Sequence, residues 1–224
     1  MDNTQHPNKD IQEFFQKNNF VVIKNFLDEN MAGLIYQYCI NKVKKVDFLT
    51  TFALDEYRPD WDGKFGDEQS PGSYNAYGDL LMDTMLAGGL KAIEGYTGLE
   101  LLPNYTYWRL YVLGEDLKRH TDRHSCEISV TLCVGYNTSN LDPETNADYD
   151  WPMWVQGPNG DDMPVHLKPG DMIIYKGVEV EHWRERFIGL NHAQVFLHYN
   201  DKNGPYKIAL DGRPLLGVPK RFQG

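Results

Sequence analysis

Residues 105–112, YTYWRLYV, change in character at every second position. The even-numbered positions are mainly apolar: Thr106, Trp108, Leu110 and Val112. The odd-numbered positions are aromatic or basic: Tyr105, Tyr107, Arg109 and Tyr111. Because successive side chains of an extended chain point to opposite faces, this period of two predicts a strand with one face in a core.

The same alternation recurs in residues 128–134, ISVTLCV, where Ser129, Thr131 and Cys133 share one face. Further short strands are predicted between Gly, Pro and Asn turns, at residues 151–156, 164–167, 172–175, 178–187 and 192–199. Many short strands separated by such turns are typical of an all-β sandwich or barrel.

The first hundred residues show helical spacing instead. Helices are predicted at residues 10–17, from an N-cap at Asp28 to about Lys45, and from Asp79 until Gly95 and Gly98 end the third. The apolar stripe of the second helix is expected at five positions: Met31, Leu34, Ile35, Tyr38 and Val43. One strand is predicted at residues 20–23, and residues 54–78 are expected to form a long loop.

No internal repeat, low-complexity tract or linker separates the two halves of the chain. We therefore expect a single domain over residues 1–224, with helical support and a loop in 1–100, a β core in 101–200 and a C-terminal tail in 201–224. The predicted fold class is mainly β with N-terminal helices (α+β), in which the helices pack on a barrel.

The chain carries 22 Lys+Arg against 32 Asp+Glu, which gives a net charge of −10. This balance argues against a basic surface that follows phosphates, so no nucleic-acid partner is expected. No apolar run reaches the roughly 18 residues of a membrane span, so no membrane partner is expected either. The polar first ten residues lack a signal-peptide pattern and the three cysteines form no disulfide framework, so we expect a cytoplasmic location.

The tripeptide His120-Thr121-Asp122 follows the first long strand and a turn. In extended chain, residues i and i+2 point the same way, so the imidazole and the carboxylate would face one point in space. Alone the motif is weak evidence: with 7 His and 32 acidic residues in the sequence, about one His-x-acid match is expected by chance.

A second feature strengthens the metal hypothesis. The tight turn Lys168-Pro169-Gly170-Asp171 leads into the apolar strand at 172–175, and His182 follows that strand. Two imidazoles and one carboxylate form the facial triad of non-haem Fe(II) sites, which leaves three coordination positions open. His120, Asp122 and His182 are therefore the predicted metal ligands and the predicted centre of catalysis.

The order of these residues resembles that of the Fe(II)/2-oxoglutarate-dependent dioxygenases, closest to the prolyl-4-hydroxylase-like branch. The resemblance rests on six features in sequence: Tyr111, His120-x-Asp122, the strand with Ser129, Thr131 and Cys133, Pro169-Gly170-Asp171, His182, and an opening, FFQKNNFVVI at 14–23, that is similar to the helix-then-strand start of many members. It implies a double-stranded β-helix (jelly roll, cupin-like) buttressed by helices.

The resemblance also implies an activity. Fe(II), the cosubstrate 2-oxoglutarate and O₂ would hydroxylate a C–H bond of an unidentified substrate, a peptidyl proline or similar, while 2-oxoglutarate is decarboxylated to succinate and CO₂. Asp122 stands where the halogenases of the family have a small residue, which favours hydroxylation.

Cosubstrate contacts are implied at two further positions. Tyr111 matches the family tyrosine that hydrogen-bonds 2-oxoglutarate, and Thr131 is a second candidate contact on the face it shares with Ser129 and Cys133. The basic residue that the family usually places at the start of the last strand is missing, because this chain has Asn191, His192 and Ala193 there.

Three cations are candidates to replace it, since a buried dianion without a cation would be costly. Arg184 is expected to share the inward face of His182, and it ranks first. Arg109, which shares a face with Tyr111, and a protonated His192 rank behind Arg184.

Several alternatives stay open. His124 would rival Asp122 as a ligand if residues 120–124 were helical, because positions i and i+4 then converge. The aromatic loop at 54–78 would be either a lid or a packed Ω-loop, and His198 and Phe196 are expected to line the barrel. The same triad suits a phytanoyl-like small-molecule hydroxylase, with a closed pocket in place of a peptide groove. A cupin-like barrel that binds a ligand without turnover is the non-enzymatic alternative.

Overall fold

The computed structural model describes residues 8–222; the start of the polar N-terminal segment (1–7) and the end of the expected tail (223–224) lie outside the described residues. The helices are α1 (Lys9–Asn18), α2 (Glu29–Thr51), α3 (Pro59–Asp62), α4 (Leu80–Thr97) and α5 (Pro143–Asn146). The strands are β1 (Phe20–Ile23), β2 (Lys64–Phe65), β3 (Tyr74–Tyr77), β4 (Leu101–Val112), β5 (Leu117–His120), β6 (Ile128–Asn137), β7 (Met153–Gln156), β8 (Asp162–Val165), β9 (Met172–Lys176), β10 (His182–Arg184) and β11 (Asn191–Asp201).

The strands form two antiparallel sheets. The larger has the order β1-β9-β6-β11-β4-β3-β2, and the smaller has the order β5-β10-β7-β8. Two long strands, β4 and β11, pair along their whole length from Asn191 opposite Val112 to Asp201 opposite Leu101. The expected class, mainly β with N-terminal helices, is confirmed.

The helices cover the outer face of the larger sheet, where α4 packs against β4 and α2 against β6. Even-numbered positions of β4 and β6 lie in the apolar core between this sheet and the helices. They include Trp108, Leu110, Val130, Leu132 and Val134. The alternation of the sequence therefore separates a helix-covered face from a face that turns toward the second sheet.

The second helix is longer than its sequence suggested, running to Thr51 instead of about Lys45. Asp28 is its N-cap as predicted and accepts a hydrogen bond from the backbone of Met31 at 2.8 Å. The expected apolar stripe is wrong at Met31 and Leu34, which are 46% and 65% exposed. The buried stripe is shifted along the helix: Ala32, Ile35, Cys39, Val46 and Leu49.

Two other predictions need correction. Residues 54–78 are not one loop, because they contain α3, β2 and β3; the short strand β3 was hidden among Gly, Ser and Asn, yet Tyr74 and Ala76 are buried. The strand expected at 178–187 shrinks to His182–Arg184, since Val180 donates to the carbonyl of Lys176 in a turn at 2.9 Å.

The predicted C-terminal end of the third helix also needs correction. Gly95 lies inside α4, and Gly98 alone ends it with a positive φ of 74°. None of the helices within residues 8–222 combines the length and the apolar character that crossing a membrane requires.

The space between the sheets is divided. One end is filled by a buried apolar cluster: Phe20, Cys133, Met153, Val155, Val165, Leu167, Ile173, Tyr175 and Val180. The other end is open and forms the cavity described next.

Candidate functional site

A cavity of about 420 Å³ lies between the two sheets. Its walls come from both sheets and from residues 67–69, and they include Tyr105, Tyr107, Arg109, Leu117, His120, Asp122, Cys126, Thr131, Met153, Tyr175, His182, Arg184, Phe196 and His198. The odd-numbered face of β4 and the even-numbered face of β11 therefore point into the cavity, as the alternation predicted.

Strand pairing brings the two predicted histidine ligands together. His120, the last residue of β5, is directly opposite His182, the first residue of β10. Asp122 follows β5 by two residues, and its backbone N–H donates to the carbonyl of Gly177 at 2.8 Å. Three residues separated by up to 62 positions in the chain are thus held at one corner of the cavity.

The three donor atoms converge. Asp122 Oδ1 lies 3.7 Å from His120 Nε2 and 3.6 Å from His182 Nε2, and all three donors lie within 4.8 Å of one another. This spacing suits a set of ligands around one metal ion, with the side toward the cavity left open.

Backbone carbonyls fix the orientation of both imidazoles. The Nδ1 atom of His120 lies 2.7 Å from the carbonyl of Lys118, and that of His182 lies 3.0 Å from the carbonyl of Val180. An Nδ1–H that donates to each carbonyl leaves the Nε2 lone pair directed at Asp122 and the cavity. Metal-binding histidines are commonly held by such a contact.

The carboxylate is fixed in a similar way. Ser129 donates from its hydroxyl to Asp122 Oδ2 at 2.8 Å, which leaves Oδ1 for the metal. Gly177 lies so close that a Cβ there would overlap the Asp122 carboxylate and the carbonyl of Cys126. A glycine is therefore needed at this position for close packing.

Burial sets the protonation of the three groups. It raises the pKa of Asp122 to about 6 and lowers the pKa of His182 to about 4. Burial, followed by the proximity of His182, also lowers the pKa of His120. At neutral pH the site thus presents two neutral imidazoles and one carboxylate. This donor set fits a divalent metal ion such as Fe(II).

Arg184 lies on the same inner face of β10 as His182, as alternation predicted, and is 3% exposed. Its Nη1 donates to the carbonyl of Trp151, and the guanidinium carbon lies 4.6 Å from the centre of the Trp151 ring. The second nitrogen, Nη2, is buried and has no hydrogen-bond partner among residues 8–222. Burial lowers the pKa of Arg184, and no carboxylate of the described residues forms an ion pair with it.

Arg109 differs, because its guanidinium is already engaged. Its Nε and Nη2 donate to Asp67 Oδ2 at 3.0 and 2.6 Å, its Nη2 also donates to Gln69 at 2.8 Å, and its Nη1 donates to the hydroxyl of Tyr111 at 3.1 Å. We call the Arg109, Asp67 and Gln69 contacts the latch.

The latch fastens residues 66–73, which we call the lid. The lid is braced from within, since Asp67 Oδ1 accepts from the backbone of Gln69 and Ser70 at 2.9 and 2.8 Å. It is also fastened from outside, where Gly72 donates to Glu115 at 2.9 Å. Residues 67–69 of the region expected as an aromatic loop therefore contribute to the cavity wall, whereas its five aromatic residues do not.

The remaining predicted cosubstrate contacts are placed differently. Thr131 lies on the cavity wall, with its Oγ1 3.4 Å from the hydroxyl of Tyr175. Tyr111 is fully buried behind the wall and reaches the cavity only through Arg109. His192 lies off the wall against Tyr136, and burial holds its pKa well below the usual range. A neutral His192 does not meet the requirement for a cationic anchor.

The rival ligand His124 does not join the cluster. It begins a short 3₁₀ turn and stacks on Tyr206, with ring centres 4.2 Å apart. Sequence reasoning missed Tyr175, whose hydroxyl lies 3.5 Å from His182 Nε2, because Tyr175 lies in the apolar strand β9 without a polar pattern. It also missed Asp67, which no periodicity connects to Arg109.

No protein-family model matches the chain, and no curated protein matches it in sequence. Solved structures do. A prolyl-4-hydroxylase from Pseudomonas putida is 14% identical, with 86% of this chain and 97% of that chain covered at a TM-score of 0.63. The non-haem α-ketoglutarate-dependent carbocyclase SnoK of nogalamycin biosynthesis is 12% identical, with 94% and 92% covered at a TM-score of 0.63.

EctD from S. alaskensis with bound Fe is 13% identical, with 98% of this chain and 89% of that chain covered at a TM-score of 0.60. At such identities the likeness concerns the arrangement of helices and strands. The chain therefore has the jelly-roll fold, prolyl-4-hydroxylase-like in form, of the 2-oxoglutarate/Fe(II) oxygenases of known structure.

Proposed function

We propose that the protein is an Fe(II)- and 2-oxoglutarate-dependent oxygenase that hydroxylates a C–H bond of its substrate. One observation carries the proposal. A single cavity holds an incomplete set of metal ligands, and the three-residue strand that supplies His182 also supplies a buried arginine that has no ion-pair partner among the described residues. Either feature alone has a structural explanation, but together they match a metal and a dianionic cosubstrate.

In this proposal His120 and His182 bind the metal through Nε2 and Asp122 binds it through Oδ1. When bound, Fe(II) with 2-oxoglutarate and O₂ supplies an oxidant strong enough to remove hydrogen from carbon, with loss of CO₂ and formation of succinate. Ser129 keeps Asp122 in one rotamer by its hydrogen bond at 2.8 Å. The three ligands thereby leave the cavity side of the metal free.

Arg184 receives the distal carboxylate of 2-oxoglutarate. A guanidinium offers two parallel donors to a carboxylate, and burial of the pair excludes competing water. Nη1 is held on the carbonyl of Trp151, so Nη2 is the donor available to a ligand. Thr131, on the facing wall, is a second donor for the cosubstrate, while Tyr111 acts indirectly by holding Arg109.

The lid favours a small-molecule substrate over a peptide. It is fastened at Asp67 to Arg109 and at Gly72 to Glu115, and its residues 67–69 form part of the cavity wall. The cavity of about 420 Å³ must also accommodate the cosubstrate. A phytanoyl-like small-molecule hydroxylase is therefore our preferred form of the proposal, and hydroxylation of a peptidyl proline is the alternative.

The test is succinate formation from 2-oxoglutarate with Fe(II) and O₂. We expect slow turnover without substrate, loss of turnover in His182→Ala, and retention in His166→Ala, a matched control because the exposed side chain of His166 contacts only Asp150 among the described hydrogen bonds and ion pairs. Stimulation by free amino acids or other small metabolites, but not by prolyl peptides, would support the small-molecule form. Succinate no higher than in a metal-free control, across all substrates tried, would favour a binding barrel without turnover.

A further inference from the structure

A second group of metal-binding side chains lies beside the triad. The donor atoms of Asp122, Cys126 and His198 all lie within 4.8 Å of one another. Cys126 and His198 are 3% and 5% exposed, and all three residues line the cavity, so an ion that enters the cavity can reach them. Cys126 and His198 take no part in the proposed oxygenase chemistry.

Asp122 is oriented so that the two groups can share it. Its Oδ1 faces His120 and His182, at 3.7 and 3.6 Å, whereas its Oδ2 faces Ser129 at 2.8 Å. The hydroxyl of Ser129 also lies 3.0 Å from Nδ1 of His198. The two carboxylate oxygens therefore serve opposite sides, and a carboxylate can bridge two cations in this way.

The donors of the second group are held by their surroundings. Cys126 ends the 3₁₀ turn His124–Cys126, and its Sγ lies 2.9 Å from the hydroxyl of Tyr105. His198 projects from β11 and packs on the Tyr105 ring, with centres 4.5 Å apart. Nδ1 of His198 lies 3.0 Å from the hydroxyl of Ser129, and one ring nitrogen of His198 lies within 4.8 Å of the donor atoms of Asp122 and Cys126.

The chemistry of this set differs from that of the triad. Thiolate, imidazole and carboxylate together are typical ligands of Zn(II), which prefers four-coordinate sites with nitrogen and sulfur donors. The triad offers no sulfur, and its nitrogen and oxygen donors suit Fe(II). We propose that Asp122, Cys126 and His198 form a second cation site that binds Zn(II) and shares the Asp122 carboxylate with the triad.

Binding involves proton release and no electron transfer. A Zn–S bond forms as the S–H bond of Cys126 breaks, and the proton passes to solvent. The thiolate and the shared carboxylate then balance the charge of the ion. The site does not require the protein to be an oxygenase; if it is one, Zn(II) occupies the part of the cavity next to the triad and opposes turnover.

Co(II) is a suitable probe because thiolate ligation gives it an intense near-ultraviolet charge-transfer band, which nitrogen and oxygen ligands alone do not give. We expect the full-length metal-free protein to bind two equivalents of Co(II), one of them with this band. Zn(II) should displace the ion that gives the band. Cys126→Ala should abolish the band and leave one equivalent, whereas His182→Ala should retain the band.

Cys39→Ala is the matched control, since Cys39 is a buried cysteine on α2, remote from the cavity, and its loss should leave the band unchanged. His198→Gln gives a second variant should Cys126→Ala fail to fold, and it should weaken the Co(II) that gives the band at least about tenfold, the effect of losing a metal contact. Absence of a band in the parent protein, or its persistence in Cys126→Ala, would overturn the site. Loss of succinate formation without loss of the band would contradict only the proposed function.

Discussion

Two buried arginines face one cavity from opposite sheets, and the contacts of their guanidinium groups differ. Arg109 on β4 is neutralised by Asp67 and engaged at Nε, Nη1 and Nη2. Arg184 on β10 contacts a backbone carbonyl and an aromatic ring, and its Nη2 has no hydrogen-bond partner within residues 8–222. Since a buried charge without a partner is costly, the first arginine stabilises the protein, whereas we propose that the second binds an anion.

The largest expected effect tests the role of Arg184. Arg184→Ala should weaken 2-oxoglutarate binding by roughly 2 to 5 kcal/mol while metal binding stays near normal, because the buried carboxylate loses the cation proposed to pair with it. Titration of cosubstrate into Fe(II)-loaded protein under nitrogen measures this. Arg109→Ala and His192→Ala are the comparison variants and should cost less. If either of them abolishes binding while Arg184→Ala does not, the two arginines have been assigned the wrong roles.

The second prediction concerns the latch. Asp67→Ala leaves Arg109 buried without a counter-ion and should lower the free energy of unfolding by about 2 to 4 kcal/mol. Asp67→Asn should lower it less, because an amide oxygen can still brace Gln69 and Ser70. Chemical denaturation measures both. Arg184→Met should leave the stability of the unliganded protein unchanged or raise it, and a loss equal to that of Asp67→Ala would erase the distinction between the arginines.

The third prediction extends the comparison to Asp122, which is half-buried and forms no ion pair with a Lys or Arg of the described residues. Its pKa is raised to about 6, so the folded state holds the proton more tightly than the unfolded chain, and ionisation as pH rises through 6 destabilises the fold. Metal-free Asp122→Asn should thus be more stable than the parent by about 2 to 3 kcal/mol at pH 8. The gain should vanish near pH 3, where both side chains are neutral. A gain that does not depend on pH would point to packing instead of charge.

The same shift gives metal binding a pH dependence. His182 remains neutral well below pH 6, because its pKa is lowered to about 4, and burial also lowers the pKa of His120. Protonation of Asp122 should therefore weaken Fe(II) binding as pH falls below about 6. Isothermal titration with Mn(II) at pH 5, 6 and 7 checks this, and equal affinity at all three values would contradict it.

The smallest effect is expected at Ser129, whose hydroxyl orients Asp122 without touching the metal. Ser129→Ala should lower metal affinity by roughly 10- to 100-fold, as is common for residues that hold a ligand in place. Thr131→Ala, on the same strand face, serves as the control for metal affinity, since Thr131 does not contact Asp122 in the described hydrogen bonds. Equal losses in both variants would indicate a general disturbance of β6.

The sequence allowed these features to be predicted to different degrees. Period-two alternation placed Arg109, Tyr107 and Tyr105 on one face and Arg184 beside His182, because a strand's side-chain direction follows from residue number alone. The two histidine ligands depend on the pairing of β5 with β10, a long-range contact that only the family resemblance suggested.

The site features that the sequence did not predict depend on burial or on segments without regular secondary structure. Full burial lowers the pKa of His192, so a protonated His192 is not expected. The sequence did not indicate this, since desolvation of an imidazole cannot be read from neighbouring residues. Tyr111 shares the predicted face but lies behind Arg109. The contact of Asp67 with Arg109 spans 42 residues and begins in a loop without periodicity, so no local pattern indicates it.

Strand β10 is three residues long, yet it carries both His182 and Arg184, while Trp183 between them stacks outward on Trp154. A register slip of one residue would turn Trp183 inward and carry both functional side chains to the outer face together. Because His182 and Arg184 share one face, we expect such a slip to displace both side chains together. In hydrogen-exchange experiments, protection of this short segment should accordingly follow the fraction of molecules in which both side chains face the cavity.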